Sequence, residues 1–289
     1  MLPLVVLTLF LLSCQTKPSE NANENSPEAI TFQLTELWST DTIMKTPESV
    51  LYDPARNVLF VANINGNPTE KDGNGFISKL NTDGTVDELE WVTGIDAPKG
   101  MGIYGDLLFV TDIDHLVVID IPSAAISEKV PVEGSNFLND LTIGKDGTVY
   151  FSDMRSGKIH TWKEDATAEW KSGLEGVNGL FDEGDDILVN VSGKGEVQKM
   201  NKSTGEAEVL ATGIRGDGVE YTGYDGYYIV SEWSGRIHVI GNGTVQKLID
   251  SEAQKINTAD IGYNLKEKIV YVPTFFDNRV VAYKLEKGE

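Results

Sequence analysis

The sequence predicts an all-β fold, a six-bladed β-propeller with four-stranded blades. Three observations indicate it. One motif recurs six times, the copies lie about 40 residues apart, and glycine-containing turns separate short strand-like segments. The copy VNGLFDEGDDILVNVSG, from Val177 to Gly193, shows the pattern of Asn-Gly, a short apolar segment, an acidic turn and a second strand-like segment. A repeat of this length and composition is typical of one propeller blade.

The remaining copies align with this one and place one residue of each copy in a single column. The other copies begin at Pro47, Pro98, Leu138, Gly216 and Thr258. The column consists of Glu48, Lys99, Asn139, Asn178, Asp217 and Ala259. Its successive members are 51, 40, 39, 39 and 42 residues apart. The long first interval contains an insertion, Asn65 to Gly75, which is predicted to be either a flexible loop or a lid over one face.

Each copy is expected to supply four antiparallel strands. In the fourth copy these are predicted at Gly179–Asp182, Ile187–Val191, Glu196–Asn201 and Glu206–Ala211. The sixth copy ends soon after its third strand, Val280 to Leu285, whereas Thr31 to Ser39 alternates apolar and polar residues without a neighbouring partner. We expect this N-terminal strand to complete the sixth blade, because ring closure removes exposed sheet edges. The propeller would then span residues 31–289.

The charge balance restricts the partners of the protein. The 289 residues include 45 acidic and 24 basic side chains, a net charge of −21. Such a surface repels nucleic acid and anionic membranes and favours cations, although any soluble acidic protein has the same property. We therefore expect no nucleic-acid partner, and we expect a monomer.

The N-terminus is typical of a secreted bacterial lipoprotein. Leu4 to Leu12 is an apolar run too short to span a bilayer and of the length found in signal peptides. Leu11-Leu12-Ser13-Cys14 resembles a lipobox, which predicts a signal peptide at 1–13 and lipid attachment at Cys14. Polar residues 14–30 would form a disordered tether. The protein would be held in the bacterial cell envelope, touching the membrane through the lipid anchor only. Because no Lys or Arg precedes the apolar run, a plain signal peptide or a misplaced start site is the alternative.

The aligned column suggests where chemistry occurs. The first strand of each propeller blade lies innermost, so the column should face the central channel. Its carboxylate and amide oxygens are hard ligands, suited to Ca²⁺ or Mg²⁺. Ala259 cannot contribute, but Asp260 follows it. The alternative is that these residues belong to turns and satisfy backbone groups.

A second set of polar residues ends the second strand of several copies. The set consists of Asp112, Asp153, Asn190 and Glu232. We interpret them as structural residues that cap turns. We interpret three tryptophans, Trp162, Trp170 and Trp233, as blade packing.

Four short motifs resemble the gluconolactonase/regucalcin-like family of six-bladed propellers. They are PES at Pro47, LND at Leu138, NGL at Asn178 and GDG at Gly216. The resemblance extends from Thr31 to Leu285. It implies a divalent cation, calcium foremost with magnesium, manganese or zinc as alternatives, bound by Glu48, Asn178 and Asp217. It also implies a metal-dependent lactonase or related esterase acting on a small-molecule lactone or ester.

The resemblance leads to assigned roles for the channel residues. Asp217 would act as general base, and Asn139 would orient the attacking water or the ring oxygen. Contact with substrate is expected from Lys99, Asn139, Asp140 and Asp260.

Two residues depart from the family pattern. Phe137 stands two residues before Asn139, where members that hydrolyse sugar lactones commonly carry Arg. Lys99 directs a cation towards a site meant for a cation, where it would weaken metal binding, pair with Glu48 or bind an anionic substrate. Both departures favour the alternative function, a non-catalytic propeller of the NHL or strictosidine-synthase-like kind that binds a protein or glycan.

Overall fold

The structure, a computed structural model, describes residues 30–288 and consists of antiparallel strands arranged in six four-stranded sheets. From the innermost strand outward, the first blade consists of β2 (Pro47–Asp53), β3 (Val58–Asn63), β4 (Gly75–Asn81) and β5 (Val86–Ile95). The second blade consists of β6 (Pro98–Tyr104), β7 (Leu107–Asp112), β8 (His115–Asp120) and β9 (Ala125–Pro131). The third blade consists of β10 (Leu138–Ile143), β11 (Val149–Asp153), β12 (Lys158–Lys163) and β13 (Ala166–Lys171). The predicted all-β, six-bladed fold is confirmed.

The last three blades follow the same order. They are formed by β14 (Val177–Glu183), β15 (Asp186–Val191), β16 (Glu196–Asn201) and β17 (Ala207–Thr212); by β18 (Val219–Tyr221), β19 (Tyr227–Glu232), β20 (Arg236–Gly241) and β21 (Thr244–Asp250); and by β22 (Gly262–Asn264), β23 (Ile269–Pro273), β24 (Val280–Lys287) and β1 (Phe32–Ser39). Two 3₁₀ helices, Glu252–Gln254 and Phe275–Asp277, lie between strands. The strands predicted for the fourth blade differ from those observed by at most a few residues at each end.

The ring is closed as the sequence predicted. Strand β1 pairs antiparallel with β24, from Phe32 opposite Lys287 to Ser39 opposite Val281. The Phe32 backbone also exchanges two hydrogen bonds with the Gln246 side-chain amide of the preceding blade, at 2.8 and 2.7 Å. Strand β1, the first strand of the described residues, therefore completes the last blade and links it to its neighbour.

The apolar core lies between adjacent blades. One cluster, for example, combines Phe60 and Trp91 of the first blade with Met101 and Leu108 of the second. Around the channel, β2 contacts β6, β6 contacts β10, β10 contacts β14 and β14 contacts β18, while β22 lies against β2. The first strand of each blade is thus innermost, and the aligned column lies at or just before the start of these strands.

One close approach explains why Gly follows Asn178. The dipeptide lies within strand β14 and is not part of a turn. A Cβ atom on Gly179 would collide with the Asp217 carbonyl oxygen of the next blade and with the Asn190 side-chain amide. Glycine is therefore required for two blades to meet beside the channel.

The predicted signal peptide (1–13), Cys14 and all of the tether except its last residue lie outside the described residues. Within residues 30–288, no helix has the length and apolar character needed to cross a membrane.

Candidate functional site

A pocket of about 350 Å³ opens at the end of the channel where the innermost strands begin. Five of the six column residues line it: Glu48, Lys99, Asn139, Asn178 and Asp217. All five side chains are buried, the most exposed being Asn178 at 8%. The structure therefore brings together the predicted metal ligands, the predicted base and two of the predicted substrate contacts. Ala259 is also buried, in a small apolar cluster with Phe275.

Polar groups at the ends of the second strands hold the entrances of the innermost strands in place, which agrees with the structural role predicted for Asp112 and Asn190. The Asn190 side-chain amide donates to the Asp217 backbone carbonyl at 3.0 Å, and the Asp217 backbone N–H donates to the Ser231 backbone carbonyl at 2.6 Å. Asp112 accepts the backbone N–H of Ala97 at 2.7 Å. These bonds fix the backbone on which the Asp217 and Lys99 side chains are carried.

Two buried oxygen atoms at this site have no hydrogen-bond partner in the described part of the chain. They are Glu48 Oε2 and Asn178 Oδ1. Asn178 Nδ2 donates to Asp217 Oδ1 at 2.7 Å, which leaves its amide oxygen free. An unpaired buried polar atom costs about 1–3 kcal/mol, so such atoms usually indicate an absent partner. Two unpaired oxygens beside a carboxylate fit an oxygen-preferring divalent cation.

The predicted ligand set contains two carboxylates and one amide. Within residues 30–288, no three His, Cys, Asp or Glu side chains are gathered as metal ligands, so the third oxygen would come from Asn178.

Burial perturbs the acids of the pocket. It raises the pKa of Glu48 well above its usual value, and the negative charges of Asp217 and Asp260 add to this effect while Lys99 opposes it. Burial, with repulsion from Asp260, raises the pKa of Asp217 to about 7, against the lowering effect of the Asn178 hydrogen bond. Binding of a cation would stabilise the charged form of these buried carboxylates.

Lys99 is fully buried but is not paired with an acid. Its Nζ donates to the Ala97 carbonyl at 2.9 Å and lies 5.0 Å from the Phe137 ring centroid. Among the described residues no carboxylate oxygen lies within 4.0 Å of it, so the suggested direct pair with Glu48 is not formed. Burial lowers the pKa of Lys99 to about 8, partly offset by the charges of Glu48 and Asp112. Because the ammonium group has three N–H donors and uses one of them on Ala97, it can still donate hydrogen bonds into the pocket.

Asp140 and Asp260 lie in a different cavity, of about 190 Å³, further along the innermost strands. Asp140 accepts the backbone N–H groups of Leu141 and Leu180 at 2.7 and 2.6 Å, and Ser49 donates to Asp260 at 2.7 Å. The structure therefore separates these two predicted substrate contacts from the pocket that contains Asp217.

The same cavity contains a third acid, Glu220, which the sequence interpretation missed. Burial raises the pKa of Asp260 to about 7 and those of Asp140 and Glu220 well above their usual values, and the negative charge of Asp260 adds to the rise at the other two. The folded protein therefore favours the protonated form of the acids at this end of the channel.

The mouth of the first pocket is apolar, and most of its lining was not predicted. The lining consists of Ile64, Pro68, Phe137, Met154, Trp233, Phe275 and Phe276. Trp233 is 46% exposed and borders the pocket, so its prediction as blade packing was wrong. A second aligned column of the repeat could have predicted this apolar lining. Ile64, Met154 and Trp233 each directly follow the residue that ends a second strand, and Phe275 follows Thr274 in the equivalent place.

The insertion borders this mouth. Its Pro68 lines the pocket, Lys71 forms an ion pair with Asp114, and the Gly73 backbone N–H donates to Asp96 at 2.9 Å. Contacts to the second blade thus hold the insertion beside the entrance, the location expected of a lid.

Comparison with known proteins identifies the fold. No family profile and no curated protein matches the sequence. A streptogramin B lyase structure is 13% identical, with a TM-score of 0.63 over 90% of this chain and 98% of that one. A gluconolactonase from Xanthomonas campestris is 14% identical, with a TM-score of 0.64 over 84% and 87% of the two chains. A catalytically inactive virginiamycin B lyase from Staphylococcus aureus with quinupristin is 12% identical, with a TM-score of 0.59 over 89% and 99%. The chain therefore has the propeller fold of these enzymes.

Proposed function

We propose that this protein is a metal-dependent hydrolase of lactones or related esters. One observation carries the proposal: unpaired buried oxygens of Glu48 and Asn178 stand beside the Asp217 carboxylate at the floor of an open pocket. These three residues would hold a divalent cation, with calcium the first choice and magnesium, manganese or zinc as alternatives. The presence of a gluconolactonase among the structural neighbours supports the choice of reaction.

The chain's own residues would perform the remaining steps. A bound divalent cation supplies Lewis acidity, polarising a carbonyl and acidifying water. Asp217, a carboxylate at the floor of the pocket, would accept the proton of the attacking water. Within the described residues, the Asn139 side chain makes one long contact, 3.7 Å from its Nδ2 to the sulfur of Met154, so its amide is free to orient water or the ring oxygen. Lys99 would donate a hydrogen bond to substrate oxygen.

The proposal is tested by hydrolysis of a panel of lactones and aryl esters by wild type and Asp217→Asn. We expect activity that chelation abolishes and a divalent cation restores, and a loss of about two decades or more in the variant, as is usual when a general base is removed. Asp53→Asn is the matched control, because Asp53 is an equally buried carboxylate outside the pocket. Absence of hydrolysis with every cation, or an Asp217→Asn enzyme as active as wild type, would refute the hydrolase proposal.

The alternative is a non-catalytic propeller that binds a protein or glycan. The buried Lys99 ammonium near the proposed cation site favours it. Binding of a ligand at the mouth without turnover, and without any cation dependence, would support this alternative.

We also propose that the protein acts in the bacterial cell envelope, anchored by lipid at Cys14. Cys14→Ala should abolish acylation and release the protein from membranes while leaving its melting temperature unchanged. Fractionation of cells that express each form measures this, and a variant that stays with the membranes as the wild type does would show that Cys14 is not the anchor.

A further inference from the structure

The mouth of the proposed active site has a chemistry of its own. Polar side chains occupy its floor, whereas the seven apolar residues named above form its wall. Phe276 is 64% exposed and Trp233 is 46% exposed. Large aromatic side chains that are exposed beside a pocket indicate a binding surface for an apolar group.

Three of these aromatic rings form one cluster. Phe275 packs edge-on against Phe276, with ring centroids 4.8 Å apart and planes at 88°. Trp233 lies 5.5 Å from Phe275 and 6.0 Å from Phe276, with both interplanar angles at 80°. Each ring restricts the others, so the surface is already shaped before a ligand arrives.

The backbone that presents these rings is strained. Phe275 has a φ of +50°, a conformation that a bulky L-residue rarely adopts. The segment is held by its ends, because the Thr274 hydroxyl accepts the Arg279 backbone N–H at 3.0 Å and the Thr274 N–H donates to the Arg279 carbonyl at 2.9 Å. Strain of this kind persists where placing a side chain serves a function, here the presentation of Phe275 and Phe276 at the entrance.

A residue on the third blade extends the same surface. Phe137 lines the pocket with one face of its ring close to Lys99 and with Arg155 4.7 Å from the ring centroid. Recognition of a polyhydroxylated ring would need hydrogen-bonding side chains at the wall, and the wall consists of Ile, Pro, Met, Phe and Trp.

We propose that the substrate is a lactone or ester bearing an apolar alkyl or aryl group, which lies against Trp233, Phe275 and Phe276 while the carbonyl reaches the polar floor. This inference rests on the proposed hydrolase function and specifies its substrate class. A sugar lactone would leave its hydroxyl groups against the aromatic wall without partners, which disfavours it.

The test compares lactones that differ only in the apolar group: a δ-lactone without a side chain, the same ring with alkyl chains of increasing length, and glucono-1,5-lactone. We expect kcat/KM to rise by up to about fourfold for each methylene that the wall covers, and gluconolactone to be the poorest substrate. Trp233→Ala and Phe276→Ala should remove at least about tenfold of the preference for the alkyl lactone. Both should lower kcat/KM for the unsubstituted ring by less than they lower it for the alkyl lactones.

Tyr104→Ala is the matched control, because Tyr104 is 48% exposed and lies outside this pocket. It should leave the preference unchanged. Gluconolactone hydrolysed as fast as the alkyl lactones, or variants that slow all lactones equally, would overturn the inference even though hydrolysis itself is present.

Binding separates this inference from the hydrolase proposal. Alkyl lactams keep the carbonyl and the chain but resist hydrolysis, and their binding can be followed by calorimetry. If no lactone is hydrolysed, tighter binding of the long-chain lactam to wild type than to Trp233→Ala still supports the apolar subsite. Equal binding of long- and short-chain lactams would overturn it.

Discussion

At the scale of single residues, the chemistry depends on which buried groups find partners. Glu48 and Asn178 retain oxygens without a partner among residues 30–288, whereas the nearby acids Asp140 and Asp260 are satisfied by backbone N–H groups and by Ser49. Position in the repeat was sufficient to predict that the first two share a pocket with Asp217. It was not sufficient for the other two, because neighbouring residues on a strand face different directions and reach different depths of the channel.

The pH dependence of stability should reveal the second acidic cavity. The pKa of Asp260 is raised from 3.8 in its usual environment to about 7. A raised folded-state pKa means that folding favours the protonated form, so this contribution is fully present below about pH 4 and is lost as the pH rises through about 7. Asp260→Asn has no such titration.

We therefore expect the melting temperature of Asp260→Asn, relative to wild type, to increase between about pH 4 and pH 7 and to level off above about pH 8. Melting series in chelator, at matched ionic strength, measure this difference. A difference that is constant across the range, or that falls with pH, would contradict the protonation assigned to this cavity.

At the scale of elements, the sequence predicted the strands well because each blade repeats the same alternation and turn chemistry. The position of Trp233 was missed for a physical reason. An aromatic residue after a strand can pack inside a blade or face a channel entrance, and its identity does not distinguish the two. Alignment of the residues that follow the second strands, Ile64, Met154 and Trp233, contains the missing information, because all are apolar and lie at one end of the channel.

The closure strand should be essential for stability. Phe32 is buried in a cluster with Tyr224 and Tyr227, at ring-centroid distances of 5.3 and 5.2 Å. A protein that starts at Thr42 lacks β1 and exposes two sheet edges, so we expect aggregation or a large loss of thermal stability. Phe32→Ala in the full chain should cost about 3 kcal/mol or more.

Leu37→Ala is the control, because Leu37 lies on the same strand but is largely exposed, and it should cost little. Thermal and denaturant unfolding followed by circular dichroism measure all three proteins. Cooperative melting of the truncated protein at the full-length temperature would show that β1 does not hold the ring together.

At the scale of the whole molecule, the net charge of the protein and the ionised carboxyl groups of the channel both attract cations. The net charge is −21, which concentrates cations near the protein and repels anions. Among the described residues, five carboxyl groups and one lysine, Lys99, line the two cavities of the channel. Those of the five carboxyl groups that are ionised add to the attraction for cations.

The central claim is that Glu48, Asn178 and Asp217 bind a divalent cation. The most direct measurement is a melting series in chelator and then in Ca²⁺, Mg²⁺, Mn²⁺ or Zn²⁺, at about pH 8, where Asp217 is ionised. A cation that binds only the folded state stabilises it by about 2.7 kcal/mol at a hundredfold excess over its Kd, so the wild-type midpoint should rise. The melting midpoint of Asp217→Asn should rise little when a cation is added, and that of Asp53→Asn should rise as much as the wild-type midpoint does. A wild-type midpoint that no cation moves, in a protein that contains no bound metal as purified, would contradict the claim.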